Sequence, residues 1–246
     1  ISLAIIAVTA GLAFLIRSII HEQKLAHQKS NFVASVTHEL RSPIGSMRLM
    51  AEALEQQNLP QDKIQTFHHL IARESARLSA LIENVLDLSR LEGGKLPIHP
   101  RPTPLHELIQ ETKENLEILA TEKNITIHLT GPELTIQADP SALQQALTNL
   151  LDNAIKFSPK NTQIQITWKP GTTIEITDQG PGIPPDQHQK IFHRFYRAEQ
   201  DELRRETKGV GIGLSIVKHI IEAHHGTIKS QNTPGATFTI HLPQNS

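Results

Sequence analysis

Hydrophobic and polar positions alternate along the chain in three different rhythms. Ile1 to Ile16, ISLAIIAVTAGLAFLI, carries no charge and only Ser2 and Thr9 as hydroxyls. Sixteen helical residues span roughly 24 Å, and extension to Ile20 gives about 30 Å, the thickness of a hydrocarbon core. Arg17 near that end can snorkel to lipid headgroups. A secretory signal needs a basic start and a short apolar stretch, and neither is present. The pattern predicts a transmembrane helix over 1–20, with a buried helix of a soluble core as the alternative. Arg17, Lys24 and Lys29 follow the run and no charge precedes it, so a cell-membrane anchor with the remaining chain cytoplasmic is expected. Opening on Ile instead of Met, the chain is expected to be a fragment or a processed product.

From about Gln23 to Gln57 the rhythm is helical. Val33, Val36, Leu40, Ile44, Met47, Ala51 and Leu54 recur at steps of 3, 4, 4, 3, 4 and 3. After a break at Asn58-Leu59-Pro60, Ile64, Phe67, Ile71, Leu78, Leu81, Val85 and Leu88 keep a seven-residue rhythm to about Leu91. Two such stripes joined by a short turn predict an antiparallel helical hairpin over 21–92. A narrow seam on both helices calls for more partners than one hairpin supplies, so a homodimeric four-helix bundle is expected. His38 lies two residues from both Val36 and Leu40, about 200° around the helix from each, and therefore faces away from the seam. Ser42 shares that outward face. Pro43 has no N–H for the carbonyl of Glu39, so a bend beside His38 is expected. Glu39 can accept from the His38 Nδ1–H and leave Nε2 free to attack. By spacing alone, a catalytic His–Glu pair and an ordinary surface pair both remain open.

Glu92-Gly93-Gly94 ends the hairpin, and Pro97, Pro100, Pro102 and Pro104 predict an extended linker over 93–104. Over 105–246 the rhythms mix. Helices are predicted at about 105–121, 140–157 and 211–224, and strands at 125–130, 134–137, 162–169, 172–177, 226–231 and 236–242. Helices and adjacent strands within one block indicate an α+β sandwich and not a doubly wound parallel sheet.

The 140–157 helix has two faces. Leu143, Leu147, Leu150 and Ala154 form an apolar stripe, while Asn149, Asn153 and Lys156 lie opposite. A solvated face explains polar residues there, yet Asn is a poor helix former. Carboxamide oxygens can ligate Mg²⁺ and a lysine can neutralise phosphate oxygens. Asp178-Gln179-Gly180-Pro181-Gly182-Ile183-Pro184 follows a strand, and by itself it is an ordinary Gly/Pro turn. Gln200 to Lys208 is highly charged and reads as a lid. Gly209-Val210-Gly211-Ile212-Gly213-Leu214 opens a helix, where backbone N–H groups can hold phosphate oxygens. Its spacing differs from the G-x-G-x-x-G of dinucleotide folds.

Composition narrows the possibilities. The 246 residues are enough for one or two domains with a real core. Lys+Arg 24 against Asp+Glu 25 leaves a net charge of −1, which argues against direct nucleic-acid binding by bulk electrostatics. The absence of cysteine excludes disulfides, thiolate metal sites and cysteine nucleophiles. Fourteen histidines are many, but the pairs His68-His69 and His224-His225 diverge on a helix and supply no i,i+4 metal pair by themselves.

Residues 34–47, ASVTHELRSPIGSM, resemble the H box of bacterial sensor histidine kinases, commonly S-H-E-L-R-T-P-L. LTNLLDNAIKFSP resembles the N box, D-Q-G-P-G the first glycine box, IFHRFYR the F box and G-V-G-I-G-L the second glycine box. Five motifs in this order over roughly 20–242 are far more specific than any one. The resemblance implies a histidine-kinase-type α/β sandwich after the bundle and phosphorylation of His38 by ATP, with Glu39 as base. It implies Mg²⁺ ligation chiefly by Asn153 with Asn149 supporting, phosphate contact by Lys156, and adenine packing by Phe157. Asp178 would accept from the adenine amino group, with Gly180 and Gly182 letting the backbone approach. Arg197 would lie near the terminal phosphate, and Gly209, Gly211 and Gly213 would cradle phosphates. The implied partner is the receiver domain of a response regulator, in two-component signalling. Three departures stand out. Ser42 replaces the usual Thr or Asn that serves phosphatase activity, Val210 replaces a common threonine, and His225 stands where glycine is frequent. An ATP-binding receptor scaffold without kinase activity, and another ATPase of related nucleotide fold, are the rival classes; the latter leaves the H box unexplained.

Overall fold

In a computed structural model the chain is described over residues 2–55, 59–92, 97–196 and 211–243, the side chains of residues 2–10, 13, 21, 24, 25, 28, 31, 77, 80, 87, 88 and 90–92 excepted. The chain divides into two compact units, Ile1–Ser75 and Ala76–Ser246.

The first unit holds helix α1 (Ser2–Glu55) and the beginning of helix α2 (Gln61–Glu92). The apolar segment over 1–20 runs straight into the heptad helix, the two forming one uninterrupted helix of 54 residues. Between Gly11 and Pro43 no glycine or proline interrupts it. The helix continues through Pro43, whose ring is buried although it contributes no N–H to the ladder. Among the described residues no helix is long and apolar enough to cross a membrane. The Pro60 carbonyl accepts from Lys63 N at 3.0 Å and Ile64 N at 3.1 Å, starting α2. Ser46, Leu49 and Met50 of α1 and Leu70, Arg73 and Glu74 of α2 line a groove of about 320 Å³. Seam positions Val36, Leu40, Met47, Ile64 and Phe67 are half-buried. Val33 and Ile44, assigned to the same stripe, remain 55% and 51% exposed.

The second unit is a two-layer α/β sandwich. Residues 101–104, assigned by their prolines to a linker, instead form strand β1 (Arg101–Pro104), antiparallel to β3 (Thr135–Ala138). Prolines two residues apart place both missing donors on one edge, so the strand can pair through the other. Helix α3 (Leu105–Glu122), strand β2 (Thr126–Thr130) and helix α4 (Pro140–Phe157) follow. Then come β4 (Gln163–Lys169), β5 (Thr173–Thr177), a 3-10 turn at Lys190–Phe192, helix α5 (Gly213–Ala223), β6 (Thr227–Thr233) and β7 (Gly235–His241).

The main sheet has the order β2-β4-β5-β7-β6, with β2 parallel to β4 and the other pairs antiparallel. Its apolar residues meet in register: Ile166 opposite Ile176, Trp168 opposite Ile174, and Ile176 opposite Phe238. Ile164, Ile166, Trp168, Ile174 and Ile176 are buried, whereas their neighbours along β4 and β5 are exposed or half-buried. One face is therefore closed by the helices and the other is solvated, as period-2 patterning of an antiparallel sheet requires. Leu143, Leu147, Leu150 and Ala154 of α4 fill the core at 2% exposure or less.

Candidate active site

Helix α4 is fixed at both ends. Asp139 is its N-cap, with Oδ1 accepting from Ser141 N and Ala142 N at 3.1 Å, and Pro140 supplies the preset first turn. Partial burial would raise the Asp139 pKa, but N–H donors from His99, Ala142 and Ser141 outweigh it and hold the carboxyl below its ordinary value. At the other end Lys123 Nζ donates to the carbonyls of Ile155 (2.8 Å), Lys156 (2.7 Å) and Ser158 (3.2 Å). These are the orphan acceptors every helix leaves at its C-terminus. Burial, and then the charge of Lys160, lowers the Lys123 pKa.

On the helix face opposite the core, Asn149 and Asn153 are half-buried and Lys156 is exposed. Asn149 Nδ2 donates to Gln145 O at 3.0 Å, which leaves Oδ1 against α5: a Cβ added at Gly213 would lie 2.9 Å from it. Lys156 forms an ion pair with Asp152, one turn back. The donor set is neutral carboxamide oxygen, hard enough for Mg²⁺, which takes the rest of its shell from water and phosphate. The residues present thus fit that ion.

At the end of β5 the chain turns at Asp178, 4% exposed. Its Oδ1 accepts from Gly180 N at 2.8 Å and Ala236 N at 2.9 Å, and its own N–H donates to Ala236 O at 2.9 Å. Both side-chain bonds fall on Oδ1, so Oδ2 is left for a donor from outside. Burial pushes the carboxyl pKa up, and the two backbone donors pull it only part of the way back. Gly182 has φ +72°, a left-handed conformation that excludes most side chains. Phe157, half-buried, brings its carbonyl beneath Gly180, where an added Cβ would stand 2.9 Å from it.

Helix α5 begins at Gly213, preceded by Gly211 at φ +74°. The helix runs antiparallel to α4. Its first residue lies at Asn149, and beyond its C-terminus His224 Nε2 accepts from Asp139 N at 2.9 Å while Nδ1 bonds Ile220 O at 2.7 Å. His224, given no role by sequence, is thus the buried latch between the two helices. Phe192 of the 3-10 turn packs edge-on against Phe238, centroids 6.3 Å apart. Arg197, Gly209, Val210 and the 200–208 segment lie outside the described residues.

The second unit brings Asn149 against Gly213, and Phe157 and Asp178 against Gly180. Gly235 and Asn232 pack behind the Asp178 turn although nothing local in the sequence marks them. A Cβ at Gly235 would come 2.2 Å from Asp178 O, and Asn232 holds Ile183. In the first unit His38 is exposed on α1, Glu39 and Ser42 are half-buried, and Pro43 is buried.

Residues 28–94 match the family described as His Kinase A (phospho-acceptor) domain. Residues 138–246 match the family described as Histidine kinase-, DNA gyrase B-, and HSP90-like ATPase. The sensor-like histidine kinase SenX3 of Mycobacterium tuberculosis is 33% identical over 234 residues, covering 91% of this chain. The chain spans 57% of the length of that curated relative. Among solved structures, the mycobacterial sensor histidine kinase MprB is 31% identical with a TM-score of 0.51, over 59% of this chain and 97% of that one. The histidine kinase ThkA in complex with the response regulator protein TrrA is 25% identical with a TM-score of 0.61, over 87% of this chain and 61% of that one.

Proposed function

The chain belongs to the sensor histidine kinase family, and on that premise we propose that it transfers the γ-phosphoryl group of ATP to His38 and then to an aspartate of a response regulator. The observation that carries this reading is the buried Asp178, whose Oδ1 is held by two backbone N–H groups and whose Oδ2 awaits a donor. An adenine amino group is such a donor, whereas guanine presents a carbonyl at that position, so the loop selects ATP. Phe157 packs on the base. Lys156, Arg197 and the N–H groups around Gly209, Gly211 and Gly213 balance phosphate charge. Asn153, with Asn149 supporting, would hold Mg²⁺, which would supply neutralisation of the phosphate oxygens.

In the transfer, His38 Nε2 forms a bond to the γ-phosphorus as the bond to the ADP oxygen breaks. Glu39 takes the Nδ1 proton, so the imidazole does not accumulate charge. The phosphoramidate then passes its phosphoryl group to the receiver aspartate. The apolar residues Val33 and Ile44, eleven residues apart on one face of α1 and both more than half exposed, support a homodimer closed along this face. The uncharged run Ile1–Ile16 supports attachment to the cell membrane, with the catalytic units cytoplasmic.

Incubation of the chain with γ-labelled ATP tests the proposal. An acid-labile, alkali-stable label lost in His38→Gln is expected, with ADP binding intact. Binding without any label would favour the scaffold alternative, to which Ser42 and Val210 lend weight. Hydrolysis indifferent to His38→Gln would favour a different ATPase.

A further inference from the structure

Ser230 and Asn232 of strand β6 are spaced by two residues and therefore lie on the same face. Both reach the segment that follows Asp178. Asn232 Oδ1 accepts from Ile183 N at 2.9 Å, and Asn232 Nδ2 donates to Ile183 O at 2.8 Å. A single carboxamide thus satisfies both main-chain groups of one loop residue, which among neutral side chains requires a planar donor–acceptor pair. The same oxygen lies under Gly182, where an added Cβ would come within 3.0 Å of it. Ser230 Oγ meets His188 Nδ1 at 2.9 Å and donates toward His188 O at 3.3 Å.

Behind this clasp a chain of hydroxyls joins three strands. Thr233 Oγ1 and Thr237 Oγ1 are 2.7 Å apart, and Thr237 Oγ1 and Thr177 Oγ1 are 3.0 Å apart. Ala236 in β7 meanwhile holds Asp178 through its N–H and carbonyl. The loop is therefore anchored at 178 by β7, at 183 by Asn232 and at 188 by Ser230. Asp178 cannot present Oδ2 at a fixed place unless the glycine turn after it is also fixed.

We propose that Asn232 is a positioning residue for the nucleotide loop: by clasping Ile183 it sets ATP affinity and adenine selectivity without touching the nucleotide. This inference rests on the reading that the Asp178 loop receives adenine. Asn232 is exposed overall, so its replacement leaves the core intact.

The test uses the full chain with Asn232→Ala, which removes both bonds, and Asn232→Asp, which keeps only the acceptor for Ile183 N–H. KM for ATP in His38 labelling, and Kd for ADP by calorimetry, should rise about tenfold in Asn232→Ala and by less in Asn232→Asp, with kcat within about twofold. The preference for ATP over GTP should fall in the same order. A melting temperature measured without nucleotide should move little. Unchanged KM and ADP affinity in both variants would overturn the positioning role, as would a loss of thermal stability without a KM change. If Asn232→Ala does not fold, Asn232→Asp alone decides by the same criteria. A wild-type chain that binds ADP but gives no His38-dependent label would sink the kinase reading and leave the clasp testable by ADP affinity.

Discussion

The two units bury their apolar residues in opposite ways. In the sandwich, Leu143, Leu147 and Leu150 are sealed between helices and sheet, and the sheet's isoleucines stand opposite one another in register. In the helical unit Val36, Leu40, Met47, Ile64 and Phe67 stay half-buried, and Val33, Ile44 and Leu49 are mostly solvent-exposed. The first is a finished core that needs nothing further to hold a nucleotide loop in place. The second is an open surface whose stability depends on what covers it. Apolar area left in water is stabilisation not yet realised, at roughly 25 cal/mol per Å².

The largest expected effect is in the finished core. Leu147→Ala should destabilise the sandwich by about 2–5 kcal/mol, read by chemical denaturation, because the site cannot collapse around the cavity. A cost under about 1 kcal/mol would show that this core is looser than its burial indicates. Gly235→Ala comes next. A methyl group there would meet both the carbonyl and the carboxylate of Asp178. Overpacking of about 1–3 kcal/mol should appear as weakened ADP binding, together with a lowered melting temperature.

The raised pKa of Asp178 gives a third expectation. A carboxylate is a stronger acceptor than a protonated carboxyl, so ADP affinity should fall as pH drops through the raised Asp178 pKa, and Asp178→Asn should abolish this dependence. Without nucleotide the sign reverses. A carboxyl whose pKa rises on folding favours the folded state below its unfolded pKa, and that contribution is lost as pH rises through the folded value. The smallest thermal effect belongs to the open surface. Ile44→Ser should leave the melting temperature of the sandwich unchanged, while shifting sedimentation toward monomer. A shift of the sandwich transition would break the contrast between the units.

Much of this contrast was legible in the chain because its signals are local. The 4, 3, 4 apolar stripe from Leu143 to Ala154 marks α4 at 140–157, the bounds that the structure has. The glycine turns at Gly182 and Gly211 announce themselves by residue type. Other features depend on partners far along the chain. Strand β1 is hidden by its prolines, and only its pairing with β3 reveals it. Asn232 becomes meaningful 49 residues from Ile183, and His224 is fixed by the N-cap of α4, 85 residues away. The continuity of α1 follows from the chain as well: an apolar run and a heptad stripe differ in composition, yet helix propensity does not lapse where they meet.

From Ser2 to His38, upstream of its proline, α1 makes a shaft of about 55 Å. A shaft without a joint transmits angle as faithfully as distance. Each residue added near its start would turn every downstream side chain by about 100° while lengthening the rod by only about 1.5 Å. Whatever grips the beginning of this helix therefore sets the compass bearing of His38.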